Sequence, residues 1–188
     1  MKIERGLLDI ARQCNSPNAD ERPDGEISLI VVHNISLPPG QFGGAHIDAL
    51  FTNTLDPTQH AFFAEICELR VSAHVLIRRD GELVQYVPFE KRAWHAGVSH
   101  YAGRERCNDF SVGIELEGTD HVPFEESQYQ TLASVVATLI NTYPTITCER
   151  IVGHSDIAPG RKTDPGPAFN WAHFRGLLDG QLNRLAEK

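Results

Sequence analysis

The stretch GHSDIAPGRKTDPGPAFNW, residues 153–171, gathers His154, Asp156, Arg161, Lys162 and Asp164 among Pro159, Gly160, Pro165, Gly166 and Pro167. Breakers at that density predict a rigid loop rather than a regular helix or strand. A second histidine, His33, closes the apolar run SLIVVHN, and RIVGH runs into His154 in the same way. If the two apolar runs are neighbouring strands, their histidines converge at one end of a sheet, where sites of open α/β folds gather. Asp164, further along the loop, can return to complete a set of three ligands. Two imidazoles and one carboxylate suit Zn²⁺ and leave a fourth position for water, the arrangement of a catalytic centre. The prolines and glycines then fix the loop path and hold the carboxylate in place at low entropic cost.

Hydrolysis at such a centre also needs a proton acceptor and a group that stabilises an oxyanion. SVGIELEG offers Glu115 and Glu117, which strand alternation puts on one face, with Ile114 and Leu116 on the other. Spacing does not choose between them. Lys162, just before Asp164, can bring a cation beside the substrate oxygen. Blander readings exist for each residue type. A histidine ending a strand is commonly a hydrogen-bonded structural residue, an Asp before Pro a turn residue, Glu117 a solvated charge and Arg161 a loop-surface charge. His74 is expected to be structural, while His95, beside Trp94, can line a groove. His46, His60, His100, His121 and His173 read as surface or loop residues.

The elements that must position these groups are legible as periodicity. Residues 28–34, 109–118 and 150–154 read as strands, and 72–88 as a hairpin around Asp80-Gly81, a type I′ turn signal. In 126–143, Tyr129, Leu132, Val135, Val136, Leu139 and Ile140 fall on one helical face. Asn170 is a plausible N-cap for a second helix that carries Trp171, Phe174, Leu177, Leu178, Leu182 and Leu185. Asp56-Pro57 suggests a third helix over 57–69. Strands interleaved with helices predict an α/β fold, a single domain with a central mixed sheet flanked by helices. The segment 36–54 reads as a long loop, and 36–64 as a mobile element beside the site.

Composition narrows the class. The chain has 188 residues, 41% hydrophobic and 22% charged, which is one ordinary globular domain. A net charge of −8 argues against nucleic acid as a partner. It leaves room for a small anionic substrate met by local bases, with Arg104, Arg106, Arg161 and Lys162 available. No apolar run reaches the roughly 18–20 residues that cross a bilayer, and MKIERGLLDIARQ has no signal-peptide core. Cys14, Cys67, Cys107 and Cys148 are scattered, with no C-x-x-C pair, as reduced thiols would be. A cytoplasmic location is the expectation.

Together VVHN, SAHVLIRRDG, FSVGIELEG and GHSDIAPGRKTDPGP resemble the zinc N-acetylmuramoyl-L-alanine amidases, a family that includes phage lysozyme-type amidases and peptidoglycan recognition proteins. The resemblance spans about residues 25–180. WHAGVSHYAGRERCNDFSVGIELEGTD, 94–120, is most similar to the cytoplasmic members that act on 1,6-anhydro-muropeptides in cell-wall recycling. The resemblance implies one Zn²⁺ held by His33, His154 and Asp164, with Glu115 and Lys162 as the catalytic pair, so it selects Glu115 over Glu117. It implies muropeptide contacts at Asn34, Arg70, Trp94 and Arg106, and hydrolysis of the lactyl amide to L-alanine. Phage-type relatives have a tyrosine where this chain has Ala73 and a cysteine where it has Asp164; Glu115 is the natural substitute for the tyrosine. A binding module without turnover would lack a metal ligand, and a zinc peptidase would cut within the stem peptide. A cysteine hydrolase would need a thiol beside a motif histidine, which the chain lacks.

Overall fold

The computed structural model describes residues 1–187. Its main sheet has six strands: β1 (Arg12–Gln13), β2 (Leu29–Ile35), β3 (Val75–Ile77), β4 (Leu83–Gln85), β5 (Ser111–Glu117) and β6 (Ile151–Gly153). Their spatial order is β6–β2–β5–β3–β4–β1. β6, β2, β5 and β3 run parallel; β3 and β4 form the antiparallel hairpin. This is the mixed α/β sheet the alternation of elements predicts. β5 is buried along its whole length, as a central parallel strand must be when both faces are covered.

Helices are α1 (His46–Phe51), α2 (Ala61–Ile66), α3 (Glu126–Thr142), α4 (His154–Ile157) and α5 (Trp171–Ala186). α3 and α5 cover one sheet face, packing Leu132, Val136 and Phe174 onto Ile30, Val32, Ile114 and Leu116. Gln128 of α3, fully buried, ties that helix to the sheet by donating to the carbonyls of Ile77 and Glu117. On the opposite face, Leu29 and Val31 meet Ala96, Cys107, Phe110 and Ile157. Beside them Leu76 and Val84 meet Leu50, Phe51 and Phe63 of α1 and α2. That second face carries the candidate site.

Several elements differ from their sequence pattern. The 36–54 stretch contains α1, whose Ile47, Leu50 and Phe51 are buried, so a six-residue helix forms by packing where the Gly-rich lead suggests loop. The helix expected over 57–69 is limited to α2, because Asp56 bonds the Thr58 amide in a local turn and His60 caps the helix instead. The β3–β4 connection is a three-residue loop rather than a type I′ turn. The Arg78 amide donates to Glu82 O at 2.9 Å, and of Asp80 and Gly81 only Gly81 has a positive φ. Three short two-stranded ribbons, such as Ala19–Glu21 with Lys91–Ala93, carry no alternation long enough to read.

Candidate metal centre and groove

Parallel pairing sets His33 of β2 directly beside Glu115 of β5, and Gly153 of β6 beside Val32. Residues paired across parallel strands share a face, so His33 and Glu115 project together. β6 ends one residue earlier than the sequence suggests: His154 opens α4, and the first turn of the breaker-rich stretch is helical. The rest of the stretch is a loop that folds back. Ser155 donates its amide to Asp164 O at 3.0 Å, and Lys162 donates its amide to Ala158 O at 3.0 Å. Gly166 sits at φ +82 against Asp120, where a Cβ would lie 2.3 Å from Asp120 Cα. Asn34 Nδ2 donates to Asp120 Oδ1 at 2.8 Å and to Pro165 O at 3.1 Å. Asp120 and Asn34 thus fasten the loop immediately after Asp164.

The result is a triangle of donor atoms. His33 Nδ1 lies 3.0 Å from His154 Nδ1, and Asp164 Oδ2 lies 3.0 and 3.1 Å from those two nitrogens. Both histidines are 2% exposed. The edges approach the roughly 3.3 Å expected between ligands in a tetrahedron with bonds of about 2.0 Å. Two nitrogens and a carboxylate oxygen, converging in a buried corner, fit a zinc ion. Burial pushes the His33 imidazole down to about 4, only partly offset by Asp164, so the ring is neutral at physiological pH, as a ligand must be. Desolvation would raise Asp164, yet the close contacts with His154 and His33 outweigh it and hold the carboxyl well below the usual range.

Around the triangle lies a cleft of about 470 Å³, lined by His33, His154 and Asp164 together with Glu115, Lys162, Asn34, Trp94 and His95. Leu50, Phe51, Phe62 and Ile66 give it an apolar wall from α1 and α2. Glu115 is 9% exposed, and its Oε2 is buried without a hydrogen-bond partner. Desolvation, and then the charge of Asp164, push its carboxyl well above the ordinary range, while Lys162 pulls the other way. A carboxylate so poised has the environment a general base requires.

Glu117 is not solvated. It is 2% exposed and accepts from Arg78 Nη1 at 3.1 Å and from the Gly43 amide at 2.7 Å. The β3–β4 hairpin supplies the guanidinium that spacing along the strand cannot reveal. Arg161 is a supporting residue, donating to the carbonyls of Ala96 and Val98. Of the four residues expected to touch substrate, Asn34 and Trp94 line the cleft. Arg70 points outward beside Glu68. Arg106 is exposed, pairs with Asp109 at 3.3 Å and borders a separate cavity with His100 and Arg161.

His74 is structural. The Gly113 amide donates to its Nδ1 at 3.0 Å, so Nε2 carries the proton and donates to Lys91 O at 3.1 Å. Burial holds this ring far below the usual histidine range. His154 Nε2 lies 3.2 Å from Ala96 O, and His33 Nε2 lies 2.9 Å from His95 Nδ1. Asn108, whose Oδ1 accepts from the amides of His95 and Ala96, fixes that segment. Neither Asn108 nor Asp120 carries a signal in the sequence, since both act across turns without periodicity.

Comparison with known proteins finds amidases. A family model described as N-acetylmuramoyl-L-alanine amidase matches residues 23–167. The chain is 66% identical over 179 residues to the 1,6-anhydro-N-acetylmuramyl-L-alanine amidase AmpD of Escherichia coli K12, covering 95% of this chain and 97% of that one. It superposes on the crystal structure of a selenomethionine AmpD derivative with a TM-score of 0.93 and 64% identity, over 95% and 99% of the two chains. It also matches the E. coli amidase AmiD in complex with the substrate anhydro-N-acetylmuramic acid-L-Ala-D-gamma-Glu-L-Lys, with a TM-score of 0.58 and 30% identity. That match covers 94% of this chain and 65% of the other.

Proposed function

The chain belongs to the N-acetylmuramoyl-L-alanine amidase family, and from that premise we propose that it is a zinc enzyme cutting the lactyl amide between 1,6-anhydro-N-acetylmuramic acid and L-alanine in cell-wall recycling. The donor triangle of His33, His154 and Asp164, with the unpartnered Glu115 carboxylate in the same cleft, carries this reading. The near-full-length similarity to an amidase named for 1,6-anhydro-N-acetylmuramyl-L-alanine supports the substrate.

His33, His154 and Asp164 would hold the ion. Zinc in that position supplies Lewis-acid polarisation of the scissile carbonyl and lowers the pKa of a water. Glu115, raised above the ordinary carboxylate range, takes the proton of the attacking water and returns it to the departing amine of L-alanine. Lys162 places a cation in the cleft for the oxyanion that develops on the carbonyl oxygen. The apolar wall of α1 and α2 excludes water from one side of the cleft. Trp94 offers a flat surface to the sugar or the peptide, and Asn34 holds the loop with its amide. Arg70 and Arg106, outside the cleft lining, would meet peptide carboxylates further along the stem.

The test is product analysis. Purified protein incubated with 1,6-anhydro-N-acetylmuramoyl tripeptide should release a peptide with L-alanine at its amino end, detected by mass spectrometry, and chelator should abolish this. Cleavage inside the stem peptide would identify a peptidase instead, and full turnover in metal-free protein would remove zinc from the mechanism. No helix among the described residues is long and apolar enough to cross a membrane; the cytoplasmic location we propose rests instead on the four cysteines, which are free thiols. Cell fractionation that finds it in an oxidising compartment would overturn this.

A further inference from the structure

We propose that His95 is a positioning residue of the metal centre, accepting a hydrogen bond from His33 Nε2–H through its own Nδ1 and so fixing His33 in the tautomer whose Nδ1 is free for the metal. The inference rests on the zinc reading above. It follows from proton counting. His33 turns Nδ1 toward His154 and Asp164, so a ligating His33 carries its proton on Nε2. The partner of that Nε2 is His95 Nδ1 at 2.9 Å. Between two neutral rings one nitrogen donates and the other accepts, which leaves the His95 proton on its own Nε2. There Ser111 Oγ stands ready at 3.2 Å as acceptor. Every ring nitrogen in the chain His33–His95–Ser111 then has one role and one partner.

The position of His95 is enforced from several sides. Its amide donates to Asn108 Oδ1 at 3.1 Å. Its ring lies over Gly113, where a Cβ would fall 2.4 Å from His95 Cγ, so only glycine leaves the space. Ser111 is fully buried, and its carbonyl accepts from Arg22 Nη2 at 2.8 Å. The two rings meet edge-on, 5.0 Å apart at 83°. His154 solves the same problem with a backbone acceptor, Ala96 O. Outer partners of this kind orient the ligand ring and raise its basicity. A neutral imidazole does so without adding a third carboxylate beside Asp164 and Glu115, in a corner where burial and then the charge of Asp164 already raise Glu115.

Two variants separate accepting from filling space. In His95→Asn, Oδ1 takes about the place of Nδ1 and still accepts from His33; in His95→Leu nothing accepts. Zinc affinity, measured by chelator competition on the full chain, should fall about 10–100-fold in His95→Leu and be largely retained in His95→Asn. Independently, the ¹⁵N-labelled zinc-loaded wild type should show a coupling through the hydrogen bond between His33 Nε2 and His95 Nδ1. This readout does not depend on a variant folding. Undiminished affinity in His95→Leu, equal losses in both variants, or a His33 Nε2 without a proton would each overturn the proposal. A wild type that binds no zinc would sink the zinc reading itself, and would be seen before any variant is compared.

Discussion

Glu115 is a buried carboxylate with one oxygen unpartnered, and such a group costs stability wherever it is ionised. Its folded pKa lies above its unfolded value, so the folded state holds the proton longer and loses stability as pH rises past about 4. In metal-free protein Glu115→Gln should therefore raise stability by about 1–3 kcal/mol at neutral pH, a gain that shrinks toward zero below about pH 4. Thermal melts across pH check this. The same variant should lose about 10²–10⁴-fold in turnover, so the group that serves the reaction is one whose replacement stabilises the metal-free protein. Lys162 lowers the Glu115 pKa, and Lys162→Met should move the acid limb of kcat/KM to higher pH while reducing the rate; a limb that stays in place would disconnect the two groups. At this scale the sequence is informative about His33, His154 and Asp164, because strand ends and a rigid loop constrain where they go. It is silent on the choice between Glu115 and Glu117. The two share a face, and what separates them is Arg78, brought against Glu117 by a hairpin distant in sequence.

At the level of elements, β5 serves as both scaffold and mould. Its Glu115 faces the cleft, while its Gly113 leaves the space into which His95 fits. Gly113→Ala keeps strand geometry yet places a methyl inside the His95 ring, and should weaken zinc binding more than it lowers the melting temperature of metal-free protein. Calorimetric titration alongside melting tests this; unchanged affinity would show that the His95 ring can yield without consequence. The long strands and α3 and α5 are legible because seven or more residues of apolar pattern outweigh local alternatives. α1 is not, since six residues behind a glycine run form a helix only by burying Ile47, Leu50 and Phe51 against Tyr86 and their neighbours. The shortened α2 shows local chemistry winning over pattern, with Asp56 spending its carboxylate on Thr58.

For the whole molecule, the proposed zinc site makes binding and folding one equilibrium, because His33, His154 and Asp164 come from β2, from the start of α4 and from the returning loop. Zinc at 100 times its Kd should add about 2.7 kcal/mol of stability, or roughly 5–11 °C in Tm for a chain of this size. Asp164→Ala should abolish that shift, which differential scanning calorimetry with and without zinc will show. The same arrangement predicts how a bound ion would leave. β6 is an edge strand of three residues, and it leads directly into His154 at the start of α4. Release of zinc should therefore follow fraying of the sheet margin rather than global unfolding, and hydrogen exchange at Val152 and Gly153 should keep pace with it.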